Sequence, residues 1–256
     1  MDVKLLPSSF PAPGEQRCHY LITYLINQTV AIDAGCLGYY GVPADQARVR
    51  HVFVSHSHSD HTASLPVFLE NAFEARSDCV VVHGGPAVLE SLQRDLFNDR
   101  IWPDFIALSK TDPPFIKLDT LVSGRVVEVE GLRITPIEVN HTVPTHGFLI
   151  EDDHSGVLIA SDTGPTDELW RVANAAAHLD AVFLEAAFPN EMQDLATLSK
   201  HLTPAEFAGE IQKMQRPVKI FAVHLKARFR DKIKAELDAL RLHDLAIGEF
   251  DHTYSF

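Results

Sequence analysis

Apolar and β-branched runs, broken by turn residues, divide the chain into expected strands and helices. Residues 20–26 and 29–33 read as two strands around Asn27-Gln28, a hairpin, with Asp33-Ala34-Gly35 ending the second. Arg50 to Ser55 is a short apolar strand that runs straight into His56. Val80 to Val82 repeats the pattern; Gly84-Gly85-Pro86 follows, then a helical stretch to about Phe97, with Pro86 suited to the first turn. From Val126 to Val139 and from Gly147 to Ser161 the texture becomes alternating or β-branched, broken at Glu130-Gly131 and Ser155-Gly156, which predicts hairpins. A second alternation follows: a helix over 167–177, a strand over Ala181 to Glu185, a helix over Thr203 to Met214, and a strand over Val218 to Val223 ending at His224. Thr203 and Glu206 have capping-box spacing, and Pro204 falls at the favoured first helical position.

No internal repeat, low-complexity segment or linker stands out. Two β-rich halves, each with its own helices, can bury their sheets face to face with helices outside. The expected fold is therefore α/β, a four-layer αβ/βα sandwich, in one domain over residues 1–256.

Composition narrows the class of partner more than the fold. With 46% hydrophobic and 22% charged residues, the 256-residue chain has the balance of an ordinary globular protein. A net charge of −13 disfavours a nucleic-acid backbone, which calls for a clustered basic surface. A small anionic substrate is still permitted, because bound metal can reverse the potential inside a pocket. Cys18, Cys36 and Cys79, an odd count without CxxC spacing, read as free thiols. The first twenty residues lack a basic segment followed by an apolar one, and no apolar stretch reaches the ~18 residues of a membrane span. The expectation is a cytoplasmic protein without a membrane partner.

His56-Ser57-His58-Ser59-Asp60-His61 puts four candidate metal ligands into six residues immediately after an apolar strand. A lone histidine is usually a core or surface residue, but four ligands in the order HxHxDH are hard to read that way. Imidazole with carboxylate suits zinc, and also manganese or iron, while the lack of thiolates removes the usual structural zinc arrangement. Three more segments offer a ligand at a strand end: Val139-Asn140-His141, Ala160-Ser161-Asp162-Thr163-Gly164 and Ala222-Val223-His224.

These motifs, in this order and spacing, resemble the metallo-β-lactamase superfamily from about Asp33 almost to the C-terminus. The resemblance implies two divalent ions, zinc by family habit. One is held by His56, His58, His141 and Asp162, the other by Asp60, His61, His224 and the shared Asp162. Finer matches resemble the class II 3′,5′-cyclic-nucleotide phosphodiesterases: Ser161-Asp162-Thr163-Gly164-Pro165 with Leu169-Trp170, Phe183 through Asn190, Lys200-His201-Leu202-Thr203-Pro204, and Asn98 through Asp104. The chain departs from that family at Ser59, where Leu is usual, and at Val223-His224-Leu225-Lys226-Ala227, where Thr-His-hydrophobic-Lys-Pro is usual; neither change removes a ligand. Asn140 through Pro144 and His224 through Phe229 also lean toward the related tRNA 3′-processing endonucleases, the sibling reading.

The implied activity is hydrolysis of cAMP or cGMP to the 5′-monophosphate, with a lactone or thioester hydrolase as a further alternative. His201 is the candidate acid, paired by the resemblance with Glu185, although it could instead cap the helix near Thr203. Asp60 would bind metal and orient the attacking hydroxide. Asp33 is expected to support the HxHxDH loop through hydrogen bonds. Trp102 and Phe105 could cover a nucleobase or simply pack, and His83 and His146 could face the site. His19, His51, His154, His178, His243 and His252 read as surface or core residues. The expected partner is a small cyclic nucleotide, nucleic acid is disfavoured, and a homodimer is implied by resemblance alone.

Overall fold

The computed structural model describes residues 1–8, 20–74 and 78–256. Cys18 and His19 lie outside the described residues. The chain forms two compact units, Asp2–Val122 with Phe250–Ser255, and Ser123–Glu249 with Met1 and Phe256.

The first unit is built on β1 (Asp2–Leu5), β2 (Tyr24–Ile26), β3 (Val30–Ile32), β4 (His51–Val54), β5 (Val80–Gly84) and β6 (Ile116–Thr120). The second carries β7 (Val127–Val129), β8 (Leu132–Val139), β9 (Thr145–Glu151), β10 (Gly156–Ile159), β11 (Ala181–Glu185), β12 (Lys219–Val223) and β13 (Leu245–Ile247). A last strand, β14 (Thr253–Ser255), returns to the first sheet beside β1. Both sheets have seven strands, ordered β14-β1-β2-β3-β4-β5-β6 and β7-β8-β9-β10-β11-β12-β13. Each runs through three antiparallel joints and then three parallel ones. Parallel neighbours need crossover connections, so each sheet acquires helices there. These mixed sheets with flanking helices are the expected fold class.

The expected hairpin at Asn27-Gln28 is present, and both turn residues take positive φ. The strand itself is shorter than expected, because residues 20–22 pair elsewhere: the Tyr20 amide donates to Ser8 Oγ and the Ile22 amide to the Asp60 carbonyl. The hairpins at Glu130-Gly131 and at Ser155-Gly156 form as expected. Asp152 Oδ1 accepts from the His154 and Ser155 amides, closing the second turn. The helix Pro204–Ile211 opens with the expected capping box, Thr203 Oγ1 accepting from the Glu206 amide and the Glu206 carboxylate accepting from the Thr203 amide.

Each sheet packs one face under its own helices. In the first unit Val52, Val54, Val80 and Val82 meet Leu65, Phe68 and Leu69 of the helix Leu65–Asn71. In the second, Leu158, Val182, Leu184, Ile220 and Ala222 meet Leu169, Trp170, Phe207, Ile233 and Leu237. Burial of such side chains stabilises each unit by roughly 1.5–3 kcal/mol apiece relative to exposure. No helix among the described residues is long and apolar enough to cross a membrane.

Candidate metal centre

The buried strand β4 delivers the HxHxDH segment at its carboxyl end, the usual side for ligands in parallel sheets. Asp33, at the end of β3, organises it. Its Oδ1 accepts from the Ser55 amide at 2.7 Å, and its Oδ2 accepts from Ser55 Oγ at 2.8 Å and from His61 Nδ1 at 2.6 Å. Having donated its proton to Asp33, Ser55 Oγ accepts from His56 Nδ1 at 2.9 Å. Both fully buried imidazoles are thereby fixed with Nδ1 protonated and the Nε2 lone pair directed away from the support, the tautomer a metal ligand needs. The support expected of Asp33 is thus present.

His56 Nε2 and His58 Nδ1 lie 3.0 Å apart with ring centroids at 4.7 Å and rings at 80°. The His51–His83 pair has the same nitrogen separation, 3.0 Å, but centroids at 5.2 Å. The His56 and His61 rings are 4.1 Å apart, and Asp60 Oδ2 is 4.0 Å from His61 Nε2. The loop rests against Gly35: the Ile22 amide bonds the Asp60 carbonyl and the Ala34 amide bonds that of His61, and a Cβ on Gly35 would stand 2.0 Å from the Asp60 oxygen.

In the second unit His141 follows β8, Asp162 follows β10, Glu185 ends β11 and His224 follows β12. Asp162 is 2% exposed, and its Oδ1 lies 3.3 Å from His224 Nε2. His141 Nδ1 donates to the Lys200 carbonyl at 3.1 Å, which makes Nε2 the ring nitrogen that could take a metal ion. Glu185, 1% exposed, accepts from His201 Nδ1 at 2.7 Å, from the Thr163 amide at 2.8 Å and from the Leu202 amide at 3.2 Å. His201 Nε2 then faces Asp162 Oδ2 at 4.0 Å, and one ligand atom each from Asp162, Glu185 and His201 fall within 4.8 Å of one another. Burial works against a charged His201, but the Glu185 carboxylate with its hydrogen bond, helped by Asp162, outweighs it and raises the pKa above the ordinary imidazole value. Burial lowers the pKa of His141, which favours the neutral imidazole that metal binding would require.

The structure therefore gathers His56, His58, Asp60 and His61 in one unit, and His141, Asp162, Glu185, His201 and His224 in the other. The donor set fits divalent ions of the zinc, manganese or iron kind: imidazole and carboxylate, with anchored far sides and no thiolate. Cys36 is buried, with its thiol pushed up to about 11 by burial, and donates toward the Leu6 and Leu21 carbonyls; Cys79 is also a free thiol.

Other expectations change. His83 is occupied within its sheet, bonded to Asp119 Oδ2 at 2.8 Å and to His51. Phe105 is buried and stacks with Phe97 and Phe115, and the half-buried Trp102 packs on the same core, so packing accounts for this pair. His146 is half-buried on β9. Thr203, not His201, caps the following helix. Sequence reasoning assigned no role to Ser55, Lys200 or Glu210. The last is a buried carboxylate that accepts from the Thr166 amide and Trp170 Nε1 and pairs with Lys213, steadying the segment after Asp162. A Glu in the middle of an otherwise apolar helix face was its available signal.

Four site positions hold non-glycine residues at positive φ: Asp33 at 62°, Ser161 at 58°, Lys200 at 52° and His224 at 55°. Such conformations are sparsely populated and cluster where surrounding structure enforces them.

The family model for the β-lactamase superfamily domain matches residues 39–225. Among curated proteins, the ribonuclease Z of Halorubrum lacusprofundi is 20% identical over 231 residues, 71% of each chain, and that of Lactobacillus helveticus is 26% identical over 168 residues, 62% of this chain and 51% of its own. Among solved structures, unliganded yeast PDE1 superposes with a TM-score of 0.79 at 16% identity over 98% of both chains. Human short-form tRNase Z superposes at 0.66 with 17% identity, over 100% of this chain and 99% of its own. At these identities the structures speak for the fold. Together with the paired histidine–carboxylate clusters, the family match identifies this chain as a member of the β-lactamase superfamily, a metallo-hydrolase of that fold.

Proposed function

We propose that this protein is a dinuclear metal-dependent phosphodiesterase that opens 3′,5′-cyclic nucleotides, cAMP or cGMP, to 5′-monophosphates. His56, His58, His141 and Asp162 would hold one ion, and Asp60, His61, Asp162 and His224 the other, with zinc the metal of first choice. When bound, such a pair lowers the pKa of water toward neutrality and neutralises phosphoryl oxygens.

The observation that carries the reading is the buried Glu185–His201 pair. Hydrolysis adds water across the P–O3′ bond: oxygen goes to phosphorus and a proton to O3′. An alkoxide leaves poorly unless it receives that proton as the bond breaks. Glu185 holds His201 Nδ1–H and favours the imidazolium, so Nε2–H, facing Asp162, is the proton for O3′. Asp60 orients the attacking water.

A second reading, cleavage of an RNA 3′ end, draws support from the ribonuclease Z names of the curated relatives. It also draws on a short basic run, Lys226, Arg228, Arg230, Lys232 and Lys234, just after His224. The net charge of −13 weighs against a long polyanion. Metal-loaded protein offered 3′,5′-cAMP, 3′,5′-cGMP and a 3′-extended pre-tRNA, each beside a His201→Ala control, separates the two. Turnover of a cyclic mononucleotide to the 5′-monophosphate, lost in the control, is the expected result. Cleavage of the pre-tRNA alone would overturn the proposal in favour of the second reading.

A further inference from the structure

We propose that Lys200 is a positioning residue that locks His141 as a metal ligand and ties it to the loop bearing His201. The inference rests on reading His141 as a ligand.

Lys200 ends the helix Gln193–Ser199 in the left-handed conformation, φ 52° and ψ 54°. That turn reverses the chain and presents two groups of one residue to His141. The Lys200 carbonyl accepts from His141 Nδ1 at 3.1 Å, and Lys200 Nζ donates to the His141 carbonyl at 2.9 Å. The two bonds grip His141 from both ends. The first sets the tautomer and the plane of the ring, and the second fixes the backbone from which the ring springs. A bond to a ring nitrogen alone constrains direction but leaves the loop free to slide; the second bond removes that freedom.

The clasp also reaches the loop that carries Asp162. Gly164 sits with its Cβ position 3.5 Å from Lys200 Cα, and its amide donates to the Asn140 carbonyl at 2.8 Å. The Asn140 amide in turn donates to Thr163 Oγ1 at 3.3 Å. Three loops with candidate roles, carrying His141, Asp162 and His201, are therefore pinned to one another around Lys200. Since His201 is the next residue, the same clasp that aims His141 also sets where the Glu185-bound imidazole begins. Lysine suits the position because its stem spans to a backbone oxygen while the ammonium keeps partial access to water. Arginine can make the same bond with a longer reach.

Partners that orient a metal-bound imidazole typically contribute about 10–100-fold to metal affinity. Zinc titration of chelator-stripped protein by calorimetry, with cobalt substitution read by its visible spectrum, tests the clasp without any substrate. Lys200→Ala keeps the carbonyl that holds the ring and loses only the ammonium's bond, so we expect it to bind one of two ions more weakly by about tenfold, the lower end of that range, with an altered cobalt spectrum, and Lys200→Arg to restore both. The melting temperature of the metal-free variants guards against a folding defect. Should Lys200→Ala lower it, Lys200→Gly, which suits the left-handed backbone and also lacks the ammonium, becomes the variant read. Wild-type protein binding two ions with Lys200→Ala or Lys200→Gly unchanged would overturn the clasp and leave the proposed function standing. Wild-type protein binding neither ion would overturn both.

Discussion

Replacing Glu185 by Gln removes one charge from a fully hydrogen-bonded site and leaves its shape almost intact. Glu185 Oε1 accepts two bonds, from His201 Nδ1 at 2.7 Å and the Thr163 amide at 2.8 Å, while Oε2 accepts one, from the Leu202 amide at 3.2 Å. A glutamine that keeps its oxygen at Oε1 retains the first two and sets its NH2 against the Leu202 amide. That donor–donor contact costs about 1–3 kcal/mol of stability. His201 stays in place but exchanges a charge-assisted bond for a neutral one, a difference of about 1–1.5 kcal/mol. If the imidazolium delivers the proton to O3′, turnover of cAMP falls roughly 5- to 15-fold, since about 1.4 kcal/mol is tenfold in rate. Bis(p-nitrophenyl) phosphate, whose leaving group departs without a proton, is expected to keep its rate within about twofold. Zinc content, measured on the same preparations, is expected to be unchanged. Equal losses on both substrates at full metal content would refute the acid role and reduce the Glu185–His201 pair to a structural prop.

Gly35→Ala would drive a methyl group into the Asp60 carbonyl, 2.0 Å away, so we expect a loss of about 1–3 kcal/mol, read as a lower melting temperature, together with reduced metal content. A wild-type melting curve from that variant would refute the contact. Thr203→Ala removes the cap of the helix Pro204–Ile211 and is expected to cost about 1 kcal/mol in urea unfolding; no change would mean that the Glu206 half of the box suffices. Burial, with His83 and Arg50 nearby, holds His51 down to about 4 against an ordinary 6.5, and burial lowers His83 despite Asp119. Both folded-state values lie below the unfolded one, so their contribution to stability is complete above pH 6.5 and is lost as the pH falls toward 4, where the unfolded chain takes up protons first. The urea midpoint of wild-type protein is therefore expected to drop more steeply between pH 7 and pH 5 than that of His51→Gln; parallel profiles would refute the assignment.

The candidate ligands of HxHxDH were legible because one short segment carries them behind a strongly apolar strand, and Asp162 and His224 because each stands just past another such strand. Glu185 could be placed at a strand end, but its partner could be named only through family resemblance, since the two residues stand sixteen apart with a helix between them. Lys200 stood inside a motif that carried the resemblance, but its role was not legible, because its bonds run between backbone and side chain of segments fifty-nine residues apart. Strands β1, β13 and β14 were missed for a different reason: they are three or four residues long, next to or at a sheet edge, and half-exposed, so no periodicity accumulates. The helix Arg230–Ala239 buries only Ile233 and Leu237, an i, i+4 pair too thin to rise above its polar surroundings.

The left-handed backbone at Asp33, Ser161, Lys200 and His224 bears on how this protein would respond to selection for heat resistance. Each such residue costs on the order of 1 kcal/mol that glycine would not. A screen that rewards thermal survival without demanding turnover should therefore enrich Ser161→Gly and Lys200→Gly early, gaining robustness by relaxing the turns that aim the site. Lineages kept under selection for activity should leave those positions alone and gather their stabilising changes on the distant helices instead.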